Sequence, residues 1–158
     1  KMNKNSDHRP KEWNYKSELP WELLQFKSHE GMKNCVRDLC HLLRDQPAMY
    51  EKQFETGGFE WIDLNHRAES VIVYRRKGLK PENDLLVVLN MTPEVRMDWK
   101  VQAYGKSAWK EVFNSNAVEY WGTGDIFNPD IKVTPVDKNQ ELFEINLHLP
   151  PLGAVVLR

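Results

Sequence analysis

The sequence predicts a mainly β protein, an antiparallel β-sandwich of about seven to eight strands preceded by one α-helix. Three features lead there. Apolar residues recur at helical spacing in one stretch only, between positions 28 and 45. Beyond Phe54 the hydrophobic period switches from 3.6 to 2, in short runs separated by Gly, Pro and Asn. The length of 158 residues suits one ordinary domain with an appendage, and a chain of that size buries a core without cross-links.

Residues 1–18 are polar and without period; 1–11 are expected to be disordered or foreign to the native chain. The first residue is Lys1, as expected of a fragment or a processed form. In the predicted helix, 29–45, Met32, Cys35, Val36, Leu39, Leu42 and Leu43 share one face, while Arg37, Asp38, Arg44 and Asp45 fill the wet side. Ser28 is the expected N-cap, and Pro47 forces the stop. Strands are expected at 59–64 and 71–77, and at 85–91, whose continuous apolar character fits a strand buried on both faces. Further strands follow at 99–104, 109–113, 143–149 and 152–157, with a long loop over 114–130. The helix needs something to bury its apolar stripe on: the sandwich, or a neighbour outside this sequence.

Composition narrows the function classes. A net charge of −1 argues against a dedicated nucleic-acid binder. The longest aliphatic run, 85–89, is too short to span a bilayer as a helix. Cys35 and Cys40 project roughly 140° apart on a helix, so reduced thiols and a cytoplasmic location are expected. Asn90-Met91-Thr92 matches a glycosylation acceptor, and chance is the better explanation without a secretory signal. Gly122-Thr123-Gly124 lacks the third glycine of a phosphate cradle. The five histidines show no metal-ligand spacing, and His148 reads as plain surface. No catalytic residue, cofactor or metal is expected.

The aromatics are the other candidate feature, with six Trp among them. A flat exposed ring stacks on the apolar face of a sugar, and flanking acids and amides bond its hydroxyls. Trp13, Tyr15 and Trp21 precede the helix, while Tyr120 and Trp121 sit in the long loop. A strand tryptophan is core by default, and that default is kept for Trp99 and Trp109. For Trp61 the two readings stand level, because Phe59 and Trp61 share one strand face and Ile62 and Leu64 the other.

Several runs resemble one family in order along the chain. The run Glu12-Trp13-Asn14-Tyr15-Lys16-Ser17-Glu18-Leu19-Pro20-Trp21 is similar to the segment after the last barrel strand of glycogen branching enzymes (1,4-α-glucan branching enzymes). Val36-Arg37-Asp38-Leu39 with Pro47-Ala48-Met49 resembles that family's final barrel helix. Gly58-Phe59-Glu60-Trp61-Ile62-Asp63, Val88-Leu89-Asn90-Met91-Thr92-Pro93 with Arg96, Trp109-Lys110-Glu111-Val112-Phe113-Asn114-Ser115 and Leu147-His148-Leu149-Pro150-Pro151-Leu152 extend the likeness over residues 12–158. The leader departs from it, reading Asn5-Ser6-Asp7-His8-Arg9-Pro10 where a Gly-rich strand end belongs.

The resemblance implies membership of the α-amylase superfamily, with a (β/α)₈ barrel and a C-terminal all-β domain. Such enzymes cleave an α-1,4-glucan and reattach it through an α-1,6 bond by the retaining two-step route. Their catalytic carboxylates lie in the barrel, so this chain alone is expected to be inactive. It implies a remnant of the barrel over 12–50 and the sandwich over 51–158. The missing barrel is the expected partner and α-glucan (glycogen or amylose chains) a weak surface ligand, with neither nucleic acid nor membrane. Trp61 is the expected platform, Glu60 or Asp63 its hydroxyl partners, and Trp13, Tyr15 and Trp21 lie near the intact enzyme's groove. Two alternatives stay open: a purely structural barrel-capping domain, or the same domain from another superfamily enzyme.

Overall fold

The computed structural model describes residues 18–137, 139 and 141–158. Among them, one long helix, α1 (Lys27–Asp45), precedes eight strands. These are β1 (Phe59–Asp63), β2 (Val71–Arg76), β3 (Leu85–Asn90), β4 (Arg96–Tyr104), β5 (Glu111–Asn114), β6 (Lys132–Asp137), β7 (Leu142–Leu149) and β8 (Gly153–Leu157). They form a five-stranded sheet in the order β1-β2-β3-β8-β5 and a three-stranded sheet in the order β4-β7-β6. The strand pairs are antiparallel. No helix of the described residues is long and apolar enough to cross a membrane.

Alternation builds the sandwich core. Val71, Val73, Leu86, Val88, Val155 and Leu157 of the large sheet meet Val101, Ala103, Ile145, Leu147 and Leu149 of the small one. The opposite residues of the large sheet, Leu85, Val87 and Val156, join Phe113 and Ala48 in a second cluster, against which Cys35 and Leu42 of α1 pack. The central strand β3 is therefore covered on both faces, as its unbroken apolar run requires. Trp109 is buried, its indole N–H donating to the Lys106 carbonyl at 3.2 Å. Trp99 is half-buried against the core. Both take the expected core role, although Trp109 does so from the connection before β5 rather than from a strand.

Four details differ from expectation. The helix begins at Lys27, and Ser28 does not cap it; the Phe26 carbonyl accepts from the amides of His29 and Glu30, with no side-chain cap. The apolar stripe does not meet the sheet squarely. Met32, Val36, Leu39 and Leu43 stay exposed, while contact runs along the flank through Gly31, Cys35 and Leu42. Asp38 is consequently not on a wet face, since it accepts a hydrogen bond from the Tyr120 hydroxyl at 3.0 Å. Strand β6 is the fourth. Pro135 interrupts its pattern, yet proline is tolerated on an edge strand, and β6 is one, with a register shift at Pro135.

Asn90, at the end of β3, is 1% exposed. Its amide donates to the carbonyls of Glu94 and Pro150 at 2.7 and 2.9 Å, and its oxygen accepts from Thr92. One side chain thus ties the β3–β4 connection to the turn before β8.

Tyr120 docks the helix from the other side. It stacks on Phe113 at 5.4 Å and reaches Asp38, while the Asn34 amide donates to the Glu119 carbonyl. Burial, then the hydrogen bond to the Asp38 carboxylate, pushes the Tyr120 phenol up to about 12. A free phenol ionises near pH ~10. Above that pH the unfolded chain releases a proton that the folded chain still holds. This contribution is complete below pH ~10 and is lost as the pH rises through about 12. Tyr120→Phe is therefore expected to cost about 1 kcal/mol at neutral pH, with its deficit against wild type closing between pH ~10 and ~12. Denaturant unfolding followed across that window checks it; a constant deficit would sink the assignment.

Candidate functional site

The large sheet ends at the edge strand β1, and its outer side carries the candidate platform. Trp61 lies opposite Tyr74 in register, with Phe59 two residues back on the same face. Phe59 stacks on Tyr74 at 5.3 Å, and Trp61 stands edge-on to both rings, 4.7 Å from Phe59 and 6.0 Å from Tyr74. Trp61 is 55% exposed, so the cluster holds its base and leaves much of the indole to solvent. Burial raises the Tyr74 phenol pKa, as expected of the ring at the bottom of the group. Ile62, on the alternate face, packs on the sandwich core. Of the two faces of β1, that of Phe59 and Trp61 is the less buried.

The structure does not gather the other candidate residues around Trp61. Glu60 points to the opposite side of the strand, where its carboxylate pairs with Lys77 at 2.7 Å. Asp63 follows a register shift in β1 and turns toward its own loop. It accepts the Asn65 amide at 2.9 Å and pairs with His66 at 2.9 Å, and the His66 ring lies 4.7 Å from Trp99. Asp63 thereby lines a polar recess of about 310 Å³ with Lys100, Gln102 and Glu144, at the edge where the two sheets meet. Trp21 opens a short 3-10 turn before α1 and is exposed. Trp13 and Tyr15 lie outside the described residues, as does the leader 1–11.

Of the loop aromatics, Tyr120 is the strut under α1 already described, and Trp121 is exposed with a left-handed backbone, φ 68°. His148 is more than plain surface, because its Nδ1 accepts the Asp98 amide at 3.2 Å and its own amide donates to Asn128. Among the described residues no group of three or more His, Cys, Asp or Glu side chains could hold a metal. The polar network around His148, Asn146 and Asp98 escapes a reading of strand pattern, because it depends on the register shift by which β4 brings Asp98 against β7.

The architecture defines a class first: an all-β module of two antiparallel sheets with a helix laid along the outer face of the larger one. Residues 61–158 match the family described as "Alpha amylase, C-terminal all-beta domain", and the chain belongs to that family. It is similar to the 1,4-alpha-glucan branching enzyme GlgB of Aquifex aeolicus, 35% identical over 94% of this chain and 24% of that protein. The GlgB of Rhodopirellula baltica is 37% identical over 93% of this chain and 20% of its own length. For Salinibacter ruber the values are 38%, 93% and 23%. The chain thus spans about a quarter or less of these relatives.

Proposed function

We propose that this chain is the C-terminal accessory domain of a 1,4-α-glucan branching enzyme and that it holds glucan weakly at Trp61. In this reading residues 12–50 are the tail of the catalytic barrel and 51–158 the β-sandwich. The exposed stripe of Met32, Val36, Leu39 and Leu43 supports a barrel lying against α1, since a wide apolar helix face is otherwise left to water. The two free cysteines support a reducing, cytoplasmic setting.

The observation that carries glucan contact is Trp61 itself, more than half exposed on a base of Phe59 and Tyr74. A ring so held offers a flat apolar surface with little conformational freedom to lose on binding. Glu60 and Asp63 are already paired with Lys77 and His66, so hydroxyl bonding beside the platform would have to compete with those pairs. Contact is accordingly expected to be dominated by stacking and to be weak.

Affinity electrophoresis in glycogen-containing gels tests this. Trp61→Ala is expected to lose most of the retardation, about a tenfold weaker apparent affinity, equivalent to about 1.4 kcal/mol. Phe59 and Tyr74 stay in place, and the surface truncation leaves the core untouched. Migration identical to that of the unchanged chain would remove the platform and leave the domain a purely structural cap of the barrel.

A further inference from the structure

The outer side of the small sheet, facing away from α1, carries a second recess of about 170 Å³. Lys132 and Asn146 meet there as cross-strand partners of β6 and β7, with His148 farther along β7 on the same side. Asp98 enters from β4, where the register shifts and its own φ is 53°. Asn128 and Asp130 come from the loop before β6.

The polar atoms divide into those already used and those left over. Asn128 is used: it bonds Glu111 at 2.7 Å and the His148 carbonyl at 3.0 Å, and accepts the His148 amide at 2.7 Å. It pins the loop to β7 and fixes one wall. His148 Nδ1 accepts from the Asp98 amide, so its proton sits on Nε2, which is left as a donor. The Asn146 amide donates to Asp98 Oδ1 at 3.1 Å, whereas Asn146 Oδ1 is buried without a hydrogen-bond partner. An orphaned buried acceptor of this kind calls for an explanation. Asp130 and Lys132 are exposed and have no partner among the described residues.

The leftover groups comprise donors, Lys132 and His148, and acceptors, Asp130, Asn146 and the second oxygen of Asp98. Carboxylates beside an ammonium largely offset one another and give no single-sign field to select a strongly charged ligand. A hydroxyl both donates and accepts, and suits such a mixed ring. The volume lies below the roughly 300–1,000 Å³ of drug-sized sites, which leaves room for one sugar ring rather than an oligosaccharide.

We propose that this recess is a second glucan-contact site, binding one glucosyl unit through its hydroxyls independently of Trp61. The ligand class rests on the branching-enzyme reading above, while the site rests on its own residues. With no Trp, Tyr or Phe in its lining, it binds mainly by hydrogen bonds, with a dissociation constant on the order of millimolar.

Titrating the ¹⁵N-labelled chain with maltoheptaose, followed by amide and indole NMR shifts, tests both sites at once. The Asn128 and Asn146 side-chain amides are expected to move along a saturating curve that persists in Trp61→Ala. In the exposed double variant Asp130→Ala/Lys132→Ala that curve is expected to weaken at least fivefold, while the Trp61 indole still responds. Asn146→Leu is expected to abolish it. Movement of the Trp61 indole with the recess amides still would overturn the recess and keep the platform. Movement at the recess with a silent indole would do the reverse, and no movement at either would overturn both. Equal shifts with inorganic phosphate at the same concentration would mark an anion pocket and overturn the proposal.

Discussion

Asp84→Ala is expected to cost about 3–5 kcal/mol of stability, because it strands a buried charge. Arg75 and Asp84 are 6% and 3% exposed, and Arg75 Nε donates to Asp84 Oδ2 at 2.8 Å. The same guanidinium donates to the Tyr104 carbonyl at 2.8 Å, reaching from β2 in the large sheet to the end of β4 in the small one. Asp84 Oδ1 also accepts the Gly78 amide at 2.9 Å. Truncation therefore leaves both a guanidinium and a backbone N–H short of a partner in a place largely shielded from water. For a chain of this length the melting temperature should fall by roughly 6–20 °C. The apolar double variant Arg75→Met/Asp84→Leu should recover the part of the loss that comes from the stranded guanidinium, while the Gly78 N–H stays without its acceptor. A single variant within about 1 kcal/mol of wild type would show that the staple between the sheets carries little.

Gly31→Ala is expected to loosen α1 from the sheet at a cost of about 1–3 kcal/mol. A Cβ at Gly31 would lie 2.7 Å from the Tyr120 carbonyl carbon and 2.9 Å from the Trp121 nitrogen. Both are backbone atoms, and neither can rotate aside. In an undocked helix the same change would stabilise by about 1 kcal/mol, because alanine is the better helix former. The sign of the measured effect therefore reports docking. Amide exchange should accelerate over 27–45 in the variant while β3 and β8 keep their protection. Greater stability in the alanine variant would mean that the helix is not held there.

How much the sequence disclosed depends on the kind of contact involved. Period-2 runs placed most strands within a residue or two, because alternating burial writes itself directly into the chain. The doubly covered β3 was legible from its unbroken aliphatic run for the same reason. β6 was not, because Pro135 breaks the pattern and only its position at an edge excuses it. In α1 the apolar stripe was legible but its partner was not. The docking line follows Gly31, the residue that allows closest approach, and a glycine leaves no hydrophobic mark.

At the candidate site, alternation marked Trp61 and Phe59 as sharing a face apart from Ile62. It also put Glu60 on the wrong side for a partner of Trp61, a consequence that the proximity of the two residues in sequence obscures. The recess around Asn146 is built from residues of β4, β6, β7 and the preceding loop. No local pattern reports such a convergence.

Asn90 has a consequence for where this chain can be made. A glycan can be joined to the Asn90-Met91-Thr92 acceptor only while Asn90 is reachable, and in the fold its amide is committed to Glu94 and Pro150. Routed through a compartment that attaches sugars to nascent chains, each molecule would face a race between closing this corner and being modified at it. The winners would be folded and bare. The losers would carry a bulky group where two turns must meet, and could not complete β3 against β8.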